Sequence, residues 1–433
     1  MELLFAFIEP VLRPCFTFVH AADLHLGSPF QGLRAAGPLV AAAADAATYR
    51  AFDRILSLAI DSEAAFVLFS GDVYDAEDRN LTAQLRFRDG LRRLQRAGIR
   101  ACVIHGNHDH LGGTQARLEW PENVRFFPAR PSDPEILHAG GAPVAAVHGY
   151  SYPQRHVRES VLAQYEARRT DEGLFRIGML HGNVGGNPDH DPYAPCSLEE
   201  LGALPFDYWA LGHVHGHAVL RARAPVVVYP GSPQGLSPRE TGAHGCCRVT
   251  VEADRTARVE FVPVHALRWV NLDVPIDGVE GEDALLQRIE GKLDDVREGE
   301  AGSLIARVRL TGRGSLHGVL RSGANVEALL RELRAGVEGE PFTWVDRLDV
   351  ETRPDVDLEG YRQSPSLAGD FLRLCGEART EEALQGELLT ALAEFYGRSD
   401  VRRELPAGPE AVRRWLDRAE ILGADLLLGE GAE

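Results

Sequence analysis

Five short apolar runs in the first half of this chain each stop at a small cluster of aspartate, asparagine or histidine, and that repetition restricts the folds open to it. Cys15 to Ala21 runs into Asp23-Leu24-His25, and Ala64 to Ser70 into Gly71-Asp72-Val73-Tyr74-Asp75. Arg100 to His105 runs into Gly106-Asn107-His108-Asp109, Phe175 to Leu180 into His181-Gly182-Asn183, and Asp207 to Leu211 into Gly212-His213-Val214-His215. Runs of this length, rich in Phe, Val, Ile and Leu, read as buried strands. Between the first three lie stretches of helical spacing, Asp45 to Glu63 and Leu81 to Ala97. The early strand–helix alternation predicts parallel β-α-β units, and the later succession of strands predicts antiparallel additions. The fold class expected is α/β (α+β): a two-sheet β-sandwich flanked by helices. Ligands in such folds collect at the carboxyl ends of strands, where these clusters sit.

The first domain is expected over residues 15–268. It includes a loop from Leu26 to Ala43, a strand from Pro143 to Tyr150, a Gly/Pro/Asp-rich loop from Gly185 to Pro195 over the site, and closing strands at 226–229, 245–251 and 257–264. Residues 1–14 read as a lead-in segment that lacks the basic start and small-residue cleavage site of a signal peptide. From Trp269 to 353 strands at 270–276, 303–311 and 343–352 alternate with helices at 282–295 and 325–335, a smaller α+β unit. A polar linker, 354–367, precedes helices at 368–376, 381–396 and 409–423, which predict either a packed bundle or a partner-binding face.

Composition narrows the function. The 433 residues carry 46 Lys and Arg against 64 Asp and Glu, a formal net charge of −18. A chain so acidic does not hold nucleic acid by bulk charge, although bound divalent cations can supply positive charge locally. The arginines of the Leu81–Ala97 helix read as a solvated face. The six cysteines form no Cys-x-x-Cys pair and fit reduced thiols of a cytoplasmic protein. No apolar run is long enough to span a membrane.

The clustered residues carry the chemistry. Asp23, His25, Asp72, Asn107, His181, His213 and His215 are all plausible ligands of manganese, iron or zinc. Asp-x-His at a strand end sends a carboxylate and an imidazole to the same side, and His213 and His215 can each reach a different ion of a close pair. His108 can move a proton, and a neighbouring carboxylate, Asp109, can orient it. Two cations roughly 3.5–4 Å apart would neutralise a phosphodiester, acidify a water between them and stabilise both entering and leaving oxygens, with His108 assisting the leaving group.

Taken together, Asp23-x-His25, Gly71-Asp72-x-x-Asp75, Gly106-Asn107-His108-Asp109, His181 and Gly212-His213-x-His215 resemble the pattern of the calcineurin-like metallophosphoesterases, over residues 17 to about 264. The resemblance implies two divalent metals, manganese foremost, with Asp72 bridging them. The first would take Asp23, His25, Asp72 and His215, and the second Asp72, Asn107, His181 and His213. His108 would be the catalytic imidazole and Asp109 its orienting partner. Within the superfamily the chain resembles nuclease subunits of the SbcD type, and more closely the YhaO branch of DNA-repair exonucleases. That likeness is carried by His20 to Leu26 with Ser28-Pro29-Phe30, by Tyr229-Pro230-Gly231 with Gln234-Gly235, and by Arg239-Glu240-Thr241-Gly242. It implies a DNA substrate, a capping domain over 269–353, an SMC-like ATPase partner for the helical tail, and a homodimer formed through helices of the first domain. Asp75 departs from archaeal and eukaryotic relatives, which carry His there. Two other readings share the sequence: a phosphodiesterase or phosphatase for a small molecule or phosphoprotein, and a regulatory subunit with a decayed site.

Overall fold

The computed structural model describes residues 14–30, 32–33, 36–75, 80–113, 116–165, 173–186, 191–300, 302–396 and 409–428. The lead-in segment, apart from Pro14, and part of the 185–195 loop lie outside them. By contacts the chain divides into two compact units. One comprises residues through Asn271 with Val296–Arg307 and Gly336–Asp346; the other comprises Leu272–Asp295, Val308–Ala335 and the residues from Arg347 onward.

The first unit contains two six-stranded sheets. In one, β1 (Phe16–Ala21), β2 (Phe66–Ser70), β3 (Arg100–Ile104) and β4 (Val124–Phe126) run parallel, and β11 (Gly245–Val251) and β12 (Ala257–Pro263) add antiparallel beside β1. In the other the order is β5 (Glu135–Ala139), β6 (Ala142–Gly149), β7 (Phe175–His181), β8 (Tyr208–Gly212), β10 (Val226–Tyr229) and β9 (Ala218–Arg221). Here β6, β7, β8 and β10 are parallel, and only the outer hairpin partners are antiparallel. Strands β6, β7, β8 and β10 are therefore a second parallel set where antiparallel additions were expected, whereas β5, β9, β11 and β12 are added antiparallel as the spacing predicts. The crossovers explain why: the β6–β7 connection carries only a short 3₁₀ turn (Leu162–Gln164) among its described residues, and the β7–β8 helix α3 (Leu198–Ala203) is six residues long. Neither leaves a helical period in the sequence.

Packed apolar layers build this unit. Phe16, Phe18, Phe66, Leu68 and Ile104 of the first sheet meet Val147, Phe175, Ile177, Met179, Tyr208 and Val228 of the second. The rings of Phe18 and Phe66 stack at 5.0 Å between centroids, and each phenylalanine so buried contributes about 1.5–3 kcal/mol. Outside the first sheet pack α1 (Pro38–Asp61) and α2 (Leu81–Arg96), through Phe52, Ile55, Phe87 and Leu91. Outside the second, Trp209, Leu211 and Tyr229 pack under Tyr152, Tyr165, Tyr193 and Leu201. Helix α1 starts earlier than predicted because Pro38 occupies its first turn, where the missing N–H costs nothing.

Beyond these, β13 (Leu267–Pro275), β14 (Ser303–Thr311) and β15 (Thr343–Val350) form a three-stranded sheet, with α4 (Glu282–Arg297), α5 (His317–Leu320) and α6 (Gly323–Arg334) between them in the chain. The segment expected as a linker contains α7 (Leu358–Gln363), capped by Asp357. Helices α8 (Leu367–Thr380), α9 (Glu382–Tyr396) and α10 (Pro409–Leu428) form a bundle around Ala378, Val412 and Leu416, while Leu367, Leu374, Leu422 and Leu426 stay exposed.

Candidate metal centre

The clusters converge because the loops leaving the strands are laced together. Asp23 N donates to Gly71 O at 3.0 Å, His25 N to Asp72 O at 3.0 Å, and Leu26 N to Val73 O at 2.9 Å. Asp23, His25, Asp72 and His213 have φ of 52°, 41°, 52° and 99°, a left-handed conformation that side chains adopt at a cost and that clusters at functional sites. Two glycines let the sheets close in on each other. A Cβ on Gly106 would lie 2.3 Å from Asp72 Oδ1 and 2.7 Å from His181 Nε2, and one on Gly212 would lie 2.0 Å from Ser70 O.

Three imidazoles are anchored alike. His25 Nδ1 faces Asp75 Oδ1 at 3.3 Å, His215 Nδ1 faces Glu240 Oε1 at 2.5 Å, and His181 Nδ1 faces Ser70 O at 2.9 Å. Each Nδ1–H is thereby committed outward, which turns the Nε2 lone pair inward. Inside, His25 Nε2 and His215 Nε2 stand 3.2 Å apart, and His181 Nε2 lies 3.0 Å from Asn107 Oδ1 and 3.3 Å from Asp72 Oδ2. Asp72 Oδ2 is also 3.9 Å from His25 Nε2, so one carboxylate oxygen borders both groups. Lone pairs pointed at one another repel unless a cation lies among them, and mixed nitrogen and oxygen donors suit borderline divalent ions. Asp23, His25 and His215 bring one donor atom each within 4.8 Å of one another, as do Asp23, Asp72 and His181. The residues fit a two-metal centre.

His213 differs. Its ring lies 5.4 Å from that of His181, but its Nε2 is 3.0 Å from Asp191 O and its backbone N–H donates to both oxygens of Asp23 at 3.0 Å. Donation from Nε2 leaves Nδ1 as the lone-pair nitrogen, the reverse of the other three rings. Among the described residues no trio of mutually close donors includes His213. Burial, then the neighbouring His181, pushes its pKa down to about 4.

The orienting carboxylate of His108 is Asp75, not Asp109. His108 Nδ1 lies 2.7 Å from Asp75 Oδ1, and Ser28 Oγ donates to the other oxygen of Asp75. Asp109 is fully buried. Its oxygens accept from Gly106 N at 2.6 Å, Asp72 N at 3.2 Å and Val73 N at 3.0 Å, so it ties two loops together. Consecutive residues in a tight turn point apart, and the carboxylate that reaches His108 comes from the loop after β2. Burial opposes the charge on Asp75, but hydrogen bonds from His108, His25 and Ser28 outweigh it and hold the carboxyl well below its usual range. Burial likewise opposes protonation of His108, yet Asp75 and the charge of Asp72 raise its pKa to about 9. Asp72 is held low against its burial by His181, His108 and His25. Glu240, whose Oε1 faces His215 Nδ1, is the other side chain at the site that the ligand pattern passes over, though it stands in the Arg239–Gly242 stretch.

The family model for calcineurin-like phosphoesterases matches residues 16–217, and that for the middle domain of the metallophosphoesterase YhaO matches residues 269–353. The chain belongs to the calcineurin-like metallophosphoesterases. Within them it is similar to a Bacillus subtilis protein described as an uncharacterized metallophosphoesterase YhaO, with 35% identity over 356 residues, 82% of this chain and 86% of that one. It is more distantly similar to the DNA double-strand break repair protein Mre11 of Sulfurisphaera tokodaii, 26% identical over 59% of this chain and 62% of that one. The Mre11 of Methanocaldococcus jannaschii is 23% identical over 50% of this chain and 56% of its own length. These Mre11 matches span less than two thirds of either relative.

Proposed function

We propose that this metallophosphoesterase hydrolyses phosphodiester bonds of DNA as an exonuclease, using two divalent ions, manganese foremost. The observation that carries the two-metal reading is the pair of inward-facing donor groups bordered by Asp72, with His108 held beside them by Asp75. Asp23, His25, Asp72 and His215 would hold one ion; Asp72, Asn107 and His181 would hold the other, joined by His213 through Nδ1. The bound ions would supply charge neutralisation of the phosphate and activation of water. With Nδ1 engaged by Asp75, Nε2 of a protonated His108 is the atom available to give a proton to the leaving alkoxide. The choice of DNA rests on the distant likeness to Mre11 repair proteins.

With a net charge of −18, the isolated chain binds DNA weakly and in a salt-sensitive way. We place it in the cytoplasm, as a homodimer beside an SMC-like ATPase. The exposed leucines of α8 and α10 support the helical tail as the docking segment. The test is digestion of end-labelled single- and double-stranded DNA with Mn²⁺, Mg²⁺ or EDTA, comparing wild type with His108→Ala. Mn²⁺-dependent shortening that falls about 10²–10⁴-fold in the variant supports the reading. Inert DNA with rapid turnover of bis-p-nitrophenyl phosphate would leave the phosphoesterase chemistry and overturn a nuclease that works alone, moving the function to a small-molecule substrate or to a nuclease that needs its ATPase partner.

A further inference from the structure

We infer that Glu240 is the positioning residue of His215: it fixes the tautomer that lets this imidazole offer Nε2 to an ion, and it is itself held by a strap pinned to the first residues of β13. The inference rests on the metal-centre reading and adds a residue outside the ligand pattern.

The strap is Ser232 to His244. At its start, Ser232 N donates to His215 O at 2.9 Å, so the strap leaves from the backbone of the imidazole it serves. Gln234 then reaches across. Its Oε1 accepts from Ala266 N at 2.8 Å and Leu267 N at 3.1 Å, and its Nε2 donates to Leu267 O at 2.6 Å. Further along, Gly242 N donates to Trp269 O at 3.2 Å, and Thr241 forms a bridge with Trp269. Leu236 packs against the cluster that holds Trp269, Phe30 and Leu33. Between these pins sits Glu240. Its Oε2 accepts from Leu236 N at 2.7 Å and Ser237 N at 3.0 Å, which leaves Oε1 aimed at His215 Nδ1.

This arrangement decides which nitrogen of His215 carries the proton. A carboxylate oxygen can only accept, so Nδ1 must donate, and Nε2 is left as the lone pair facing His25. Glutamine would keep the strap and reverse the demand. Its carbonyl can still take the Leu236 and Ser237 N–H groups, while its NH₂ faces Nδ1 and forces the proton onto Nε2.

The experiment uses the full chain, freed of metal and labelled with ¹⁵N-histidine. Imidazole ¹⁵N spectra, recorded where the ring is neutral, report the His215 tautomer, and calorimetric titration with Mn²⁺ reports both sites. Wild type is expected to carry the His215 proton on Nδ1 and to bind two ions. Glu240→Gln is expected to move the proton to Nε2 and to weaken one ion about 10–100-fold, leaving the other within about threefold. Glu240→Asp, which keeps an acceptor, is expected to retain the Nδ1 proton and recover part of the loss. An unchanged tautomer and two unchanged affinities in Glu240→Gln would overturn the inference. A wild type that takes up no metal would instead sink the metal-centre reading, and the tautomer would still decide the role of Glu240.

Discussion

The two ends of the two-sheet unit are made from the same strands and built on different terms. At the carboxyl ends, Asp23, His25, Asp72 and His213 sit at positive φ, and a Cβ on Gly106 or Gly212 would collide with a ligand or with backbone. At the amino ends the turns also use positive φ, at Gly98, Gly140 and Gly141, yet nothing lies within 4 Å of where their Cβ atoms would be. A cleft at that end is lined by Thr17, Glu63, Gly98 and His138, and none of these belongs to a metal-capable trio among the described residues. The comparison separates two uses of glycine. One lets a chain reverse direction; the other lets two sheets approach until donors from both share one point. Only the second marks the site.

The contrast can be broken most severely by removing metal. Chelation with EDTA is expected to abolish hydrolysis of bis-p-nitrophenyl phosphate while circular dichroism at the same temperature still reports a folded chain; undiminished turnover would mean that the crowded end is crowded for another reason. Next comes substitution at each end. Gly106→Ala should cost about 2–3 kcal/mol in urea denaturation by forcing Asp72 and His181 aside. Gly98→Ala should cost only about 1 kcal/mol, for its φ alone. Equal costs would erase the distinction.

A smaller effect separates the two carboxylates near His108. Asp75→Asn is expected to lower turnover about 10–100-fold with little change in melting temperature. Asp109→Asn should do the opposite, since Asp109 holds backbone amides of two loops, and activity assays paired with thermal melts distinguish them. A pH-dependent effect lies beneath the site. His20 accepts from Tyr208 Oη at Nδ1, 3.0 Å, and donates from Nε2 to Leu211 O at 3.1 Å, linking β1 to β8. Burial lowers its pKa to about 3. The unfolded chain therefore takes up the proton first, near pH 6.5, and stability is lost as pH falls below that value. At pH 5.5 the loss from this group should be about 1.4 kcal/mol, read as a slope of unfolding free energy that His20→Gln flattens.

Much of this was legible in the sequence because each candidate donor sits just past a run of Phe, Val and Leu that has nowhere to go but the interior. Ser70-Gly71-Asp72 and Leu211-Gly212-His213 announce both a buried strand and a forced turn. Less legible was anything decided between distant segments. The parallel order of β6, β7, β8 and β10 has no helical signature, and the short strands β4, β5 and β9 sit at or near sheet edges with mixed exposure. Asp75 stands three residues from Asp72, in the same motif, but its reach to His108 depends on how the loops after β2 and β3 face each other. Glu240 lies 25 residues beyond His215 and meets it only because the strap folds back.

One consequence follows from the way the donors are shared out along the chain. Asp23, His25, Asp72 and Asn107 come from the first sheet, whereas His181 and His215 come from the second, and each donor group mixes the two. A nascent chain leaving the ribosome therefore completes the Asp23–Asp72–His181 group when residue 181 has emerged and the Asp23–His25–His215 group only at residue 215, with Glu240 following 25 residues later. A bound ion would thus report that strands of both sheets, β1 and β2 of one and β7 and β8 of the other, have been made and joined.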